Sequence, residues 1–150
     1  MPERWLLPDA KEYDVAETFK LSLLTPYCGC FEADVEGGML PGRLGEFGVL
    51  SNHTKFASEL KPGAVRIVSG GHTSIFSISG GFAEVSDNGV IILADSAEKP
   101  EDIDVDRARE SKLKAEKELS SIDPSDEKMT TRLQNRIERA NNRINLASSH

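Results

Sequence analysis

One hundred and fifty residues, 38% hydrophobic and 29% charged, make one ordinary domain or a small domain with an appendage. No apolar run approaches the roughly 18 to 20 residues that a membrane helix needs, which excludes an integral helical membrane protein. A formal charge of −7 argues against nucleic-acid binding through a general positive field and leaves only a local basic stripe to look for.

Residues 1–19 carry little β pattern and read as an N-terminal extension. Pro2 and Pro8 interrupt the short apolar group Trp5, Leu6 and Leu7, so no signal peptide is expected. From residue 20 onward, short alternating runs are punctuated by glycine, proline and asparagine about every ten residues, the pattern of a small all-β sandwich or barrel. Residues 20–25 end at Pro26, 31–35 at Gly37-Gly38, and 64–68 at Gly70-Gly71, a two-residue hairpin turn. Residues 72–79 follow; Ser79-Gly80-Gly81-Phe82 reads as another tight passage, and 83–85 then meets 90–93 across Asp87-Asn88-Gly89. The pattern gives about eight to ten strands. Within it, Cys28 and Cys30 are too few for a disulfide framework, and their one-residue spacing is not the gap of zinc knuckles or redox motifs. They are expected as plain thiols in a reducing compartment, pointing to one face of a strand.

Composition changes near residue 100. All nine aromatics lie between Trp5 and Phe82, and all twelve glycines lie at or before Gly89. Residues 1–100 hold 8 basic and 14 acidic side chains, whereas residues 101–150 hold 10 and 11. A charge-dense, nearly neutral tail suits exposed helices and not a second globular core. The carboxylates of 101–104 can cap a first helix running to about Ser121, with Val105, Ala108, Ala115 and Leu119 on one stripe interrupted by Lys112. A turn follows, and Ser125 or Asp126 caps a second helix to about Ala147 with the stripe Met129, Leu133, Ile137, Ala140, Ile144 and Ala147. Two such helices joined by a short turn make an antiparallel hairpin. Thin, alanine-rich stripes bury little area, so the hairpin is expected to dock, undock or repack at modest cost.

The basic stripe lies on the second helix. Arg132, Arg136, Arg139 and Arg143 are spaced 4, 3 and 4 and fall within about a 60° sector beside the apolar stripe. Such a row repels itself and calls for anionic partners: acidic side chains such as Glu138, Glu110, Glu116 or Glu118, an acidic partner surface, or phosphate. The histidines His53, His72 and His150 share no ligand spacing, no Walker-type loop occurs, and no nucleophile has an identifiable base. Neither a metal site nor catalysis by this chain is expected.

Four stretches, with the hairpin, carry a resemblance to the epsilon subunit family of the rotary ATP synthase, whose mitochondrial counterpart is called delta. They are Gly45-Glu46-Phe47-Gly48-Val49-Leu50 with Asn52-His53, Leu60-Lys61-Pro62-Gly63, Ser79-Gly80-Gly81-Phe82 with Glu84-Val85, and Ile91-Ile92-Leu93-Ala94-Asp95 with Ala97-Glu98. In family order and spacing they span about residues 20–147; the family's usual Pro-Gly-His is here Ser51-Asn52-His53, so two of three positions depart. The resemblance implies a ten-stranded β-sandwich over 20–101 and a regulatory helical hairpin over 102–150. It implies a non-catalytic rotor subunit of the central stalk that couples proton flow to ATP synthesis. Its sandwich would clamp gamma and stand on the proton-driven membrane ring, meeting the membrane only indirectly.

Glu46, with His53, is then a ring contact, against the plainer reading of Glu46 as a turn carboxylate without a partner. Arg132, Arg136, Arg139 and Arg143 would reach the beta subunits transiently in an extended state that blocks hydrolysis. Some family members bind ATP in the compact state. The matching positions here are Glu98, Ile103, Asp104, Arg107, Ala108, Arg139 and Arg143, with Lys114 where arginine is frequent. ATP is thus expected as an allosteric ligand and no cofactor is required; the competing reading has Asp104 cap the helix and Arg107 pair on its surface. A freestanding nucleotide sensor or helical adaptor sharing the sandwich is the alternative. The expected place is the cytoplasmic face of a bacterial inner membrane, or alternatively the matrix side of the mitochondrial inner membrane.

Overall fold

The computed structural model describes residues 17–149, so nearly all of the expected 1–19 extension, and His150, lie outside the described residues. Eight strands are formed among them: β1 Phe19–Leu24, β2 Gly29–Val35, β3 Gly37–Gly42, β4 Gly45–Leu50, β5 Phe56–Ser69, β6 His72–Ser86, β7 Gly89–Ala94 and β8 Ala97–Glu98. A 3-10 turn at Pro100–Asp102 leads into helices α1, Val105–Ser121, and α2, Glu127–Ser148. The strands make one sheet in the order β2-β1-β7-β6-β5-β3-β4, with β8 against β6. Only the β1–β7 pair is parallel among these ladders.

This sheet folds over onto itself because its two longest strands serve both layers. The start of β5 pairs with the end of β6, which carries β7 and then β1 and β2; the end of β5 and the start of β6 lie between β3 and β8. Alternation turns Leu21, Leu23, Ala83, Val85, Val90 and Ile92 of the first layer toward Leu40, Val49, Val65, Ile67, Phe76 and Ile78 of the second, in one buried cluster. Phe31 meets Phe76 edge-on at 5.7 Å, and Phe47 meets Phe56 at 5.2 Å, both across the two layers.

Eight strands therefore stand where ten were expected. The sequence reads Ser79 to Phe82 as a passage between strands, but β6 runs through it without a break. Gly80 and Gly81 adopt φ of 112° and 151°, which an L side chain rarely takes, and a Cβ at Gly81 would lie 2.1 Å from the Leu93 carbonyl oxygen. The chain bends there without losing its ladder. The Gly70-Gly71 hairpin has the positive φ values, 57° and 80°, that its two-residue turn demands.

The cysteine expectation is also overturned. Cys28 and Cys30 form a disulfide across Gly29, with Cα atoms 5.4 Å apart. Regular strand begins only at Gly29, so Cys28 sits in a turn and is free of the strand's alternation.

Both helices start where a carboxylate can take an unpaired N–H. Asp104 Oδ1 accepts from Arg107 N at 3.1 Å, and Asp126 Oδ1 accepts from Met129 N at 3.1 Å. In the turn between them, Ser125 donates its N–H and its hydroxyl to Asp123 at 2.9 and 2.8 Å, which holds that carboxyl below its ordinary value of 3.8. Ala108, Ala115, Leu133 and Ala140 are buried in the hairpin. Leu146, outside the expected α2 stripe, is buried too: with Ile103 it packs on Ala64, alongside Ile75, Val105 and Ala147. The hairpin thereby covers the outer face of the second layer. The outer face of the first layer stays open, with Leu93 53%, Phe82 47% and Ile91 43% exposed. Among the described residues no helix is long and apolar enough to cross a membrane.

Candidate functional site

Two places gather the residues singled out by sequence. The first is the turn between β3 and β4. Pro41 pairs with Glu46 and Gly42 with Gly45, which leaves Arg43 and Leu44 at the tip, Leu44 fully exposed. Glu46 is exposed but not alone: Arg66 Nη1 lies 3.4 Å from its Oε1. This pair is half in solvent and contributes little to stability. His53 lies beyond the other end of β4, its ring tilted over Phe56 at 5.3 Å, and its N–H donates to the Leu50 carbonyl at 3.2 Å. The structure does not bring Glu46 and His53 together.

The second place is the junction of the hairpin with the sandwich. Glu98, on the short β8, accepts two N–H groups from Arg143; the outer one, Nη2 to Oε2, spans 3.4 Å. Both side chains are less than one third exposed, so water screens this pair less than the others. One residue earlier, the Asn142 amide reaches the Gly63 carbonyl at 3.2 Å, Ser77 Oγ at 3.1 Å and the Ile78 carbonyl at 3.4 Å. Ser77 is the buried polar residue among the described ones, 3% exposed. Adjacent residues of α2 thus tie it to the sandwich by a charged contact and an amide contact. Sequence reading missed Asn142 because it belongs neither to the apolar stripe nor to the arginine row. Its offset of one from Arg143 in Arg139-Ala140-Asn141-Asn142-Arg143 was the only available signal.

A cavity of about 540 Å³ opens beside this junction, lined from α2 by Arg136, Arg139 and Arg143 and from the sandwich by Ser79, Asp95, Ser96 and Glu98, the last paired with Arg143. It unites Glu98, Arg139 and Arg143 from the expected nucleotide set. Ile103 is buried in the docking cluster, Ala108 is fully buried, Asp104 caps α1, and Arg107 and Lys114 are exposed; none of these five lines the cavity. The acidic partners expected for the arginine row are also replaced. Arg136 Nε donates to Ser111 Oγ at 3.2 Å and Arg143 pairs with Glu98, while Arg132 and Arg139 make no ion pair among the described residues. No ion pair joins a carboxylate of α1 to the arginine row among the described residues. Arg107 likewise has no ion pair among the described residues.

Residues 18–100 match the family described as ATP synthase, Delta/Epsilon chain, beta-sandwich domain, and residues 101–148 match its long alpha-helix domain. The ATP synthase epsilon chain of Bacillus pumilus is 38% identical over 131 residues, covering 87% of this chain and 98% of its own. That of Desulfitobacterium hafniense strain Y51 is 40% identical over 133 residues, covering 89% and 98%. That of Nitratidesulfovibrio vulgaris strain DP4 is 45% identical over 106 residues, covering 71% and 79%. The fold is also similar to a chain in a structure of the Euglena gracilis mitochondrial ATP synthase, with a TM-score of 0.73, 23% identity and full coverage of both chains.

Proposed function

Because this chain belongs to the Delta/Epsilon chain family of ATP synthase, we propose that it serves as a non-catalytic central-stalk subunit whose sandwich is the anchor and whose hairpin is the regulator. It takes part in proton-driven ATP synthesis as an epsilon-type component. The anchor comprises residues 20–101 and clamps gamma while standing on the proton-driven ring; the hairpin, residues 102–150, controls hydrolysis. The ten strands that the family resemblance implies would require counting each of the two long strands, β5 and β6, as two. The observation that carries the reading is the division of labour between the two outer faces. One face is covered by the chain's own hairpin, and the other presents Leu24, Leu93 and Phe82 side by side across three adjacent strands. An apolar row of this kind, rimmed by Glu59 and Glu84, fits a partner's apolar surface.

Replacing Phe82→Asp and Leu93→Asp together tests it. The doubly changed chain folds, since both side chains are about half exposed, but copurifies with gamma at a yield reduced at least tenfold. Undiminished recovery removes this face as the gamma contact. A freestanding sensor or adaptor, the alternative, predicts no recovery of gamma even with the unchanged chain.

At the ring, Glu46 and the exposed Leu44 form the foot, and the Arg66 pair is exchanged for polar groups of the ring loops. In the extended state the hairpin carries Arg132, Arg136, Arg139 and Arg143 to acidic surface on beta. In the compact state ATP acts as an allosteric ligand and is not hydrolysed. Arg139 and Arg143, one helical turn apart, suit phosphate oxygens, with Arg143 exchanging Glu98 for phosphate and Arg136 adding a third guanidinium to the lining. The sequence relatives are bacterial, which supports a peripheral place at the cytoplasmic face of a bacterial membrane over the mitochondrial alternative.

A further inference from the structure

The turn between β1 and β2 gathers two sulfur atoms and a hydroxyl at the surface, in a place that the proposed stalk contacts do not use. Along a regular strand, residues i and i+2 lie about 6.5 Å apart. Here the Cα atoms of Cys28 and Cys30 are 5.4 Å apart, well inside the span that a disulfide bridges. Two features of the chain shorten that distance. Thr25 N donates to the Cys28 carbonyl at 2.9 Å and Cys28 N donates back to Thr25 Oγ1 at 3.1 Å, which folds the chain at Cys28. The β1–β2 register then slips: Leu23 faces Phe31 but Leu24 faces Gly29, so Cys30 is a bulge residue with nothing opposite it in the ladder.

The two sulfurs differ in access. Cys28 is exposed, whereas Cys30 is half-buried and packs against the sandwich core. Thr25 Oγ1 lies 3.6 Å from Cys28 Sγ and 3.9 Å from Cys30 Sγ, so one hydroxyl serves both. A bridge between residues only two apart removes little entropy from the unfolded chain and so adds little to stability. Exposed bridges are the ones that exchange with external thiols. We propose that Cys28 and Cys30 form a reversible thiol–disulfide exchange site whose substrate is a dithiol, with the Thr25 hydroxyl donating to the leaving sulfur.

In the opening direction, one thiolate of the dithiol bonds to Cys28 Sγ, the sulfur in solvent. The Cys28–Cys30 bond breaks, and its electron pair stays on Cys30 as a thiolate, to which Thr25 Oγ1 donates until water protonates it. The second thiol of the reductant loses its proton to solvent and attacks the first reductant sulfur in the mixed disulfide. Cys28 leaves as a thiolate and takes up a proton, and the reductant closes as a disulfide. Two electrons thus pass from the dithiol to the bridge, and the reverse sequence re-forms it with a disulfide as oxidant.

Equilibrating the full chain with mixtures of reduced and oxidised glutathione, then alkylating the free thiols and counting them by mass, tests the proposal. The expected result is an open bridge in excess reduced glutathione, a closed one in excess oxidised glutathione, and passage in both directions. With dithiothreitol as the dithiol, Thr25→Val should open about tenfold more slowly and Thr25→Ser at the original rate, because only valine removes a hydrogen bond to a charged sulfur. Cys30→Ser should form a mixed disulfide with oxidised glutathione about tenfold faster than Cys28→Ser, because only the former keeps the exposed sulfur. A bridge that stays closed in excess reduced glutathione is a structural crosslink, and cysteines that stay free in excess oxidised glutathione form none; either result overturns the proposal. Opening of Thr25→Val at the original rate or faster overturns the hydroxyl's role, and equal reactivity of the two cysteine variants overturns attack at Cys28.

Discussion

Asn142 commits one amide to three acceptors on the sandwich, and all three belong to backbone or side chain that the hairpin hides from water. Removing it by Asn142→Ala leaves those acceptors in a site that water must re-enter, at a cost of about 1–3 kcal/mol to the docked state alone. The undocked population should rise by roughly 5- to 150-fold at that cost. Hydrogen exchange should then quicken along α2, with the protection of β5 and β6 preserved. Equal protection of α2 in both proteins would show that Asn142 is incidental to docking. Arg143 adds to the same hold, yet its partner Glu98 is partly solvated, so the neutral amide is the more discriminating contact. The amide contact, unlike the Glu98 and Arg143 positions, was not read from sequence. An asparagine between two arginines of a helix gives no sign that it faces a sheet, and the sheet's one buried hydroxyl, Ser77, gives no sign that it awaits a donor.

At the scale of elements, the helices were the most readable part. Asp104 and Asp126 stand directly before periodic runs, and a cap depends only on neighbours in the chain. The strands were less so. Alternation reports which side chains are buried and not where a ladder ends, so β6 was read as two pieces on either side of Gly80-Gly81 and only the second half of β5, residues 64–68, was read as a strand. Leu146 escaped for a related reason: α2 has two contact surfaces, one toward α1 and one toward the sandwich, and a single stripe describes only the first. The arginine row illustrates what the docked state leaves unused. Arg132 and Arg139 have no ion pair among the described residues, and Arg136 has a hydroxyl. Changing Arg132, Arg136 and Arg139 to glutamine should therefore alter the melting of the isolated chain by no more than about 0.5 kcal/mol per site. If the proposed contacts with beta exist, the same changes in the assembled enzyme should raise ATP hydrolysis toward the uninhibited rate, since each lost charged contact weakens the inhibited state by about 1.5–3 kcal/mol. Hydrolysis assays on the reconstituted enzyme check this, and an unchanged rate removes these arginines from inhibition.

For the whole molecule, the account is one of unequal holding. A sandwich closed by two long bent strands and aromatic pairs across its layers is a single cooperative body. A hairpin attached by Ile103, Leu146, Asn142 and Arg143 is held by a handful of contacts and can exchange them for a partner's. Its release would expose Ala64 and Ile75 of the sandwich and Ile103 and Leu146 of the hairpin segment; the proposed switch requires that this cost be small enough for a ligand or a neighbouring subunit to offset. Pinning the hairpin tests this most directly. In a chain carrying Ser77→Cys and Asn142→Cys, with Cys28 and Cys30 changed to serine, a short bis-thiosulfonate crosslinker, attached through disulfides that reduction cleaves, bridges in its oxidised form two positions whose side chains now hydrogen-bond at 3.1 Å. Built into the complete enzyme, the oxidised form should synthesise ATP and hydrolyse it without inhibition, and reduction should restore inhibition. Identical hydrolysis before and after reduction would contradict a hairpin that must leave the sandwich to act.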